Sequence, residues 1–137
     1  IMQVMPATGK AMKVGDIRVT EHNIHAGVKY LDRLLAGYFA DVSLSDQDRS
    51  LFAFASYNAG PAKIASLRRL AAERGLDPNV WFNSVERIAA QKIGFETVAY
   101  VRNIYKYFVA YKLTLELAAD KAKIRDDLTT GHSRGQK

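Results

Sequence analysis

The chain contains no cysteine. Disulfide staples, thiol nucleophiles and cysteine metal ligands are therefore excluded, and the fold depends on its core. Proline is scarce, with three residues in 137, so each one acts as local punctuation rather than as part of a linker. No apolar run is long enough to span a bilayer. No period-two alternation marks a strand, no internal repeat recurs, and no glycine-rich phosphate loop of known spacing is present. The sequence opens at Ile1 rather than at an initiator methionine, and it opens with no targeting segment. The expectation is a piece of a longer product.

Against these absences, hydrophobic residues make up 48% of the chain, enough for a core, and 25% are charged. The length argues for one domain. The formal net charge of +6 favours anionic partners such as nucleic acid, acidic lipid or an acidic polymer, without choosing among them.

Helix signals then follow one another along the chain. Pro6 starts a short helix that Gly9 is expected to interrupt, and residues 13–19 read as a loop. Thr20 or Asn23 can cap the next helix, along which Ile24, Val28, Leu31, Leu35 and Tyr38 recur at helical spacing. Ser45 with Asp48 resembles a capping box and opens a helix that runs to Asn58. Gly60 suits the end of that helix and Pro61 the first turn of the next, so Tyr57 and Asn58 sit on a rigid last turn. Ile64, Leu67 and Ala71 form the inner face of the following helix, and Gly75 stops it. Asp77-Pro78 starts another, with Trp81, Val85 and Ile88 as its face, and Gly94 separates it from the last. The last helix carries Phe95, Val98, Val101, Ile104, Tyr105, Phe108, Tyr111 and Leu115. An arc that wide predicts a central helix surrounded by others. The fold class is all-α, an irregular bundle of five or six helices, and residues 129–137 are expected to be disordered.

Few residues offer chemistry by themselves. His22 and His25 lie beside Glu21, but two histidines with an uncertain third ligand make a poor zinc site, and no metal or cofactor is expected. Ser56 has no suitably placed histidine as a base. A helix-turn-helix reading of the pair around Gly60 puts Lys63, Arg68, Arg69 and Arg74 on a basic second helix. A solvated basic face is the commoner case. The turn also displays Tyr57 and Asn58, and basic residues are spread along the whole chain, so nucleic acid is not the expected partner.

Three separated stretches converge on a family. MQVMPAT at Met2–Thr8 resembles the Met-Gln motif of bacterial peptidoglycan lytic transglycosylases with the goose-lysozyme-like fold. SYNAG at Ser56–Gly60 resembles their Tyr-Asn-x-Gly motif, and ETVAYV at Glu96–Val101 the motif that carries their active-site tyrosine. NIHAGVKYL at Asn23–Leu31 resembles the helix between the first two. SYNAGP and YVRNIYKYFVAYKL look most like membrane-bound members with an upstream solute-binding domain.

The resemblance implies a lysozyme-like domain over 1–119 followed by a polar tail at 120–137. It implies cleavage of the β-1,4 link between N-acetylmuramic acid and N-acetylglucosamine. In that reaction a glutamic acid protonates the leaving oxygen and then takes the proton of the muramoyl 6-hydroxyl as that oxygen attacks its own anomeric carbon. A 1,6-anhydro sugar results, so no second carboxylate is needed. Gln3, Tyr57, Asn58 and Tyr100 match the family's groove residues, with Met2 and Glu96 in support. The family's catalytic glutamate lies in a Glu-Ser motif upstream of the Met-Gln motif. Glu21, Glu86, Glu96 and Glu116 do not match it, so this chain is expected to lack the acid and the first helix, to be inactive alone and to self-associate through the face so exposed. The implied partner is the peptidoglycan glycan strand. The implied location is the periplasmic side of the bacterial envelope, with outer-membrane association in the full-length protein. The alternatives are a non-catalytic wall-binding domain and the helix-turn-helix module.

Overall fold

The computed structural model describes residues 1–41 and 43–132, with side chains to Thr129. Among these residues there are six α-helices and no strand, as the all-α reading requires: α1 (Pro6–Met12), α2 (Thr20–Gly37), α3 (Asp46–Ala59), α4 (Pro61–Glu73), α5 (Glu86–Ile93) and α6 (Phe95–His132). The chain divides after Val101 into two compact units.

In the first unit α3 is the hub, packed against both α2 and α4. Its start is fixed locally. The Ser45 hydroxyl accepts from the Asp48 backbone N–H at 3.0 Å, and Asp48 Oδ1 in turn accepts the Trp81 backbone N–H at 2.9 Å. One cap thus starts a helix and anchors a distant segment. Phe52 of α3 is fully buried, stacked on Phe39 at 5.9 Å and meeting Trp81 edge-on at 5.8 Å. Such aromatic pairs add about 0.5–1.5 kcal/mol to the burial itself. Leu34, Leu51, Ile64, Val85, Ile88, Val98 and Val101 complete the core.

Several sequence expectations are corrected. α1 runs on through Gly9 to Met12, and the Lys29 ammonium donates to the Met12 carbonyl at 2.9 Å. Neither Thr20 nor Asn23 caps α2; the N-cap position is Val19, with no side-chain cap. Ile24, Val28 and Tyr38 are exposed rather than inward. Trp81, Val85 and Ile88 are buried as expected, but they do not share one regular helix. Phe82 is extended and Asn83 is left-handed at φ 58°, so α5 begins only at Glu86, whose carboxylate accepts from the Asn83 N–H at 3.2 Å. The Ser84 hydroxyl donates to the Asp77 carbonyl and holds the turn.

The enclosed central helix is also corrected. Thr97, Val98 and Val101 in the first turns of α6 are buried, but Tyr107, Phe108, Tyr111 and Leu115 are exposed. An apolar arc shows what a helix could bury, whereas burial needs neighbours that the arc itself does not encode. α6 continues to His132, and the rest of the tail expected to be disordered, residues 133–137, lies outside the described residues.

Candidate functional site

The N-terminal residues cross α2 at close range and are held at both polar atoms of Met2. Its N–H donates to Asn23 Oδ1 at 2.8 Å, and its carbonyl accepts the Tyr57 hydroxyl at 2.8 Å. The Asn23 amide is itself oriented, because its Nδ2 donates to the Ile17 carbonyl at 3.0 Å. Gly27 makes the crossing feasible. A Cβ there would lie 2.7 Å from Met2 Cε, 2.8 Å from Met2 Cβ and 2.9 Å from the Tyr57 hydroxyl. The next residue, Gln3, is exposed and has φ 50°, a left-handed conformation that is uncommon outside glycine. Strain of this kind persists where surrounding contacts over-determine it, and it clusters at functional positions. Here the Met2 clamp supplies those contacts.

The second stretch arrives at the end of α3. Gly60 takes φ 94°, its N–H donates to the Ser56 carbonyl at 2.8 Å, and Pro61 begins α4. This break leaves Tyr57 and Asn58 on the last turn, as the sequence indicated. The half-buried Tyr57 ring lies 5.4 Å from that of Tyr30 on α2. Asn58 Oδ1 accepts the Thr97 hydroxyl at 2.8 Å, which ties α3 to the first turn of α6. Tyr100 lies one turn further along and is half-buried.

The electrostatics keep these phenols neutral. Burial first, and then the neighbouring Tyr100 and Tyr30, together push the Tyr57 hydroxyl up to about 12. Burial also raises Tyr30 and Tyr100. At neutral pH the cluster therefore presents uncharged hydroxyls. With its proton committed to Met2, the Tyr57 oxygen remains an acceptor; with Oδ1 committed to Thr97, the Asn58 amide N–H groups remain donors. The surface is a set of neutral, directional hydrogen-bonding groups beside aromatic faces.

Other candidates lie elsewhere. Glu96 is exposed in the first turn of α6, where its charge suits the helix N-terminus. The Ser56 hydroxyl is buried without a partner among the described residues. His22 sits near the Asp16 carbonyl at 3.3 Å, and no cluster of three potential metal ligands occurs among the described residues. The basic helix of the DNA-binding reading is partly occupied. Arg68 donates to the Pro78 carbonyl and Asn79 and lies 5.0 Å above the Phe52 ring, and Arg74 donates to Gln91.

Residue by residue, the sequence reading missed Asn23, Gly27, Tyr30 and Thr97. Three of them lay in a stretch already singled out, at positions i, i+4 and i+7 of one helix, where a polar, a small and an aromatic residue share a face.

A family model described as Transglycosylase SLT domain matches residues 1–79. The chain belongs to the transglycosylase SLT domain family. Similar proteins share its identity well beyond the matched region. A membrane-bound lytic murein transglycosylase F from Marinobacter nauticus is 30% identical over 93% of this chain and 28% of its own length. Proteins of the same name from Vibrio campbellii and Desulfosudis oleivorans are 31% and 33% identical over 79% of this chain, and 22% and 26% of their own. The SLT chain described here thus spans about a quarter of the length of these curated relatives.

Proposed function

We propose that this chain forms the glycan groove of a peptidoglycan lytic transglycosylase. The observation that carries this reading is the junction of three distant stretches. Met2–Gln3, Tyr57–Asn58 and Thr97 are drawn together by the Tyr57–Met2 and Thr97–Asn58 hydrogen bonds. The names of the relatives support a murein substrate. In this reading Gln3, Tyr57, Asn58 and Tyr100 contact sugar hydroxyls and acetamido groups. Met2 holds the first of these in place, and Glu96 supports the start of α6.

The chemistry is cleavage of the muramoyl–glucosaminyl link with formation of a 1,6-anhydro end. The groove groups named here bind and orient; none of them is a carboxylic acid. Glu86 is buried against Asn83, while Glu21, Glu73, Glu96 and Glu116 are exposed. The reading therefore assigns the general acid to residues outside these 137. The location is the bacterial envelope, on the periplasmic side, with membrane attachment in the full-length protein. No helix of the described residues is long and apolar enough to cross a membrane.

The test uses purified sacculi. The chain should co-sediment with them yet release no 1,6-anhydromuropeptides by mass spectrometry, whereas a chain extended upstream through a Glu-Ser motif should release them. Turnover by the present chain would sink the assignment of the acid, and failure to co-sediment would sink the groove. An extended natural chain that lacks the motif and binds without turnover would favour the wall-binding alternative.

A further inference from the structure

A second concavity adjoins the tyrosine surface at Tyr30. It encloses about 290 Å³, at the small end of ligand pockets, which run to about 1,000 Å³. Ala11, Met12 and Pro61 give it an apolar wall, while Tyr30, Tyr38 and Arg33 give it two phenols and a guanidinium. No acidic side chain lines it among the described residues. Arg33 is exposed at its rim, and no hydrogen bond or ion pair is found for it among the described residues. Its charge nevertheless acts on Tyr30, partly opposing the rise that burial and Tyr38 impose, so the three polar groups form one local cluster.

The chemistry of this pocket differs from that of the groove beside it. The groove offers neutral amides and phenols. The pocket offers a planar fork of donors that matches a carboxylate, beside an apolar wall that takes a short aliphatic segment. The two meet at one residue, since the Tyr30 ring that lines the pocket lies 5.4 Å from that of Tyr57. A ligand lying across Tyr57 and Tyr30 therefore reaches the pocket with any branch it carries.

We propose that this cavity is a subsite for a carboxylate on a short peptide branch of the glycan, with Arg33 as its anion-binding residue and Tyr30 and Tyr38 as its walls. The proposal rests on the reading of the neighbouring groove as a peptidoglycan site. It makes the chain sensitive to the peptide arm of its substrate as well as to the sugar backbone. The small volume limits the arm to its first one or two residues.

The experiment titrates the full 137-residue chain with three ligands, followed by NMR or calorimetry. They are chitotetraose, the N-acetylglucosaminyl-N-acetylmuramoyl disaccharide with a dipeptide arm, and the same disaccharide with its arm carboxylates amidated. The wild-type chain should prefer the free-carboxylate arm. Arg33→Ala should weaken that ligand by about tenfold, as expected for one charge-assisted pair, and leave chitotetraose unchanged. Arg33→Lys, which keeps charge without the fork, should fall between. Unchanged chitotetraose binding also shows that the variant is folded. Equal binding of the free and amidated arms by the wild type would overturn the subsite, as would an Arg33→Ala chain that loses all three ligands alike. A wild-type chain that binds none of them overturns the groove reading, and the subsite with it.

Discussion

Two stripes run side by side along α2, offset by one residue. Ile24, Val28, Leu31 and Leu35 form the apolar one, which sequence periodicity selects as the inner face. Asn23, Gly27, Tyr30 and Leu34 form the other, which looks mixed and unremarked in sequence. In the folded chain the mixed stripe does most of the work. Asn23 pins Met2, Gly27 lets it pass, Tyr30 meets Tyr57, and Leu34 is completely buried. On the apolar stripe Ile24 is 42% exposed and Val28 55%. Periodicity counts hydrophobic atoms, but burial depends on what arrives opposite. Here a backbone segment arrives, and it needs a small residue and hydrogen-bonding groups.

The largest test of this contrast is truncation. Leu34→Ala should destabilise the chain by about 2–5 kcal/mol, as for other buried leucines, whereas Ile24→Ala should stay within about 0.5 kcal/mol. Denaturant unfolding of the two variants would measure the gap. Equal losses would mean that Ile24 is covered in solution, as self-association of the chain would require.

A smaller effect should follow at the crossing. Gly27→Val introduces carbon where Met2 and the Tyr57 hydroxyl already sit, and overpacking of this kind costs about 1–3 kcal/mol. Because the displaced group is the Met2–Gln3 segment, amide exchange at Met2 and Gln3 should accelerate. Val28→Ala, one residue along, should leave both stability and exchange near the wild type. If Gly27→Val is tolerated without faster exchange, the close crossing is not the packing in solution.

The smallest change removes one hydroxyl. Tyr57→Phe leaves the Met2 carbonyl without its partner and should cost about 0.5–1.5 kcal/mol. It should also change the alkaline titration. The folded-state pKa of Tyr57 is raised from 10.0 to about 12, so the folded chain holds this proton after the unfolded chain has released it. The stabilisation is full below about pH 10 and falls away as the pH rises toward 12. Tyr30 and Tyr100 are raised as well, so late tyrosinate transitions should appear in the ultraviolet titration of the wild type, and the one near pH 12 should be missing from Tyr57→Phe. Persistence of that transition in the variant would assign it to another tyrosine.

Some local signals were read correctly because their cause lies within a few residues, although the break expected at Gly9 and the caps expected at Thr20 or Asn23 did not form. The capping pair Ser45–Asp48 and the Gly60–Pro61 break depend on nearby backbone, so the ends of α3 and the exposure of Asn58 on its last turn were legible. The break at Asn83 was not, because helical spacing over Trp81, Val85 and Ile88 is satisfied equally by a helix and by an irregular turn that buries the same side chains. The exposure of Phe108, Tyr111 and Leu115 escaped for the opposite reason, since an apolar surface does not carry its own partner.

By itself the sequence determined the all-α class, the order of the helices and the motif stretches that place the chain in its family, because helix spacing, caps and breaks are encoded over a few residues. Only the tertiary structure decided which stripe of α2 faces inward, that Asn23 clamps Met2 instead of capping a helix, and that Thr97 and Tyr30 join the tyrosine surface. Those outcomes depend on contacts between residues up to 55 positions apart, as in the Tyr57–Met2 hydrogen bond. A backbone carbonyl has no side-chain signature, so no pattern in the sequence marks the residue that will meet it.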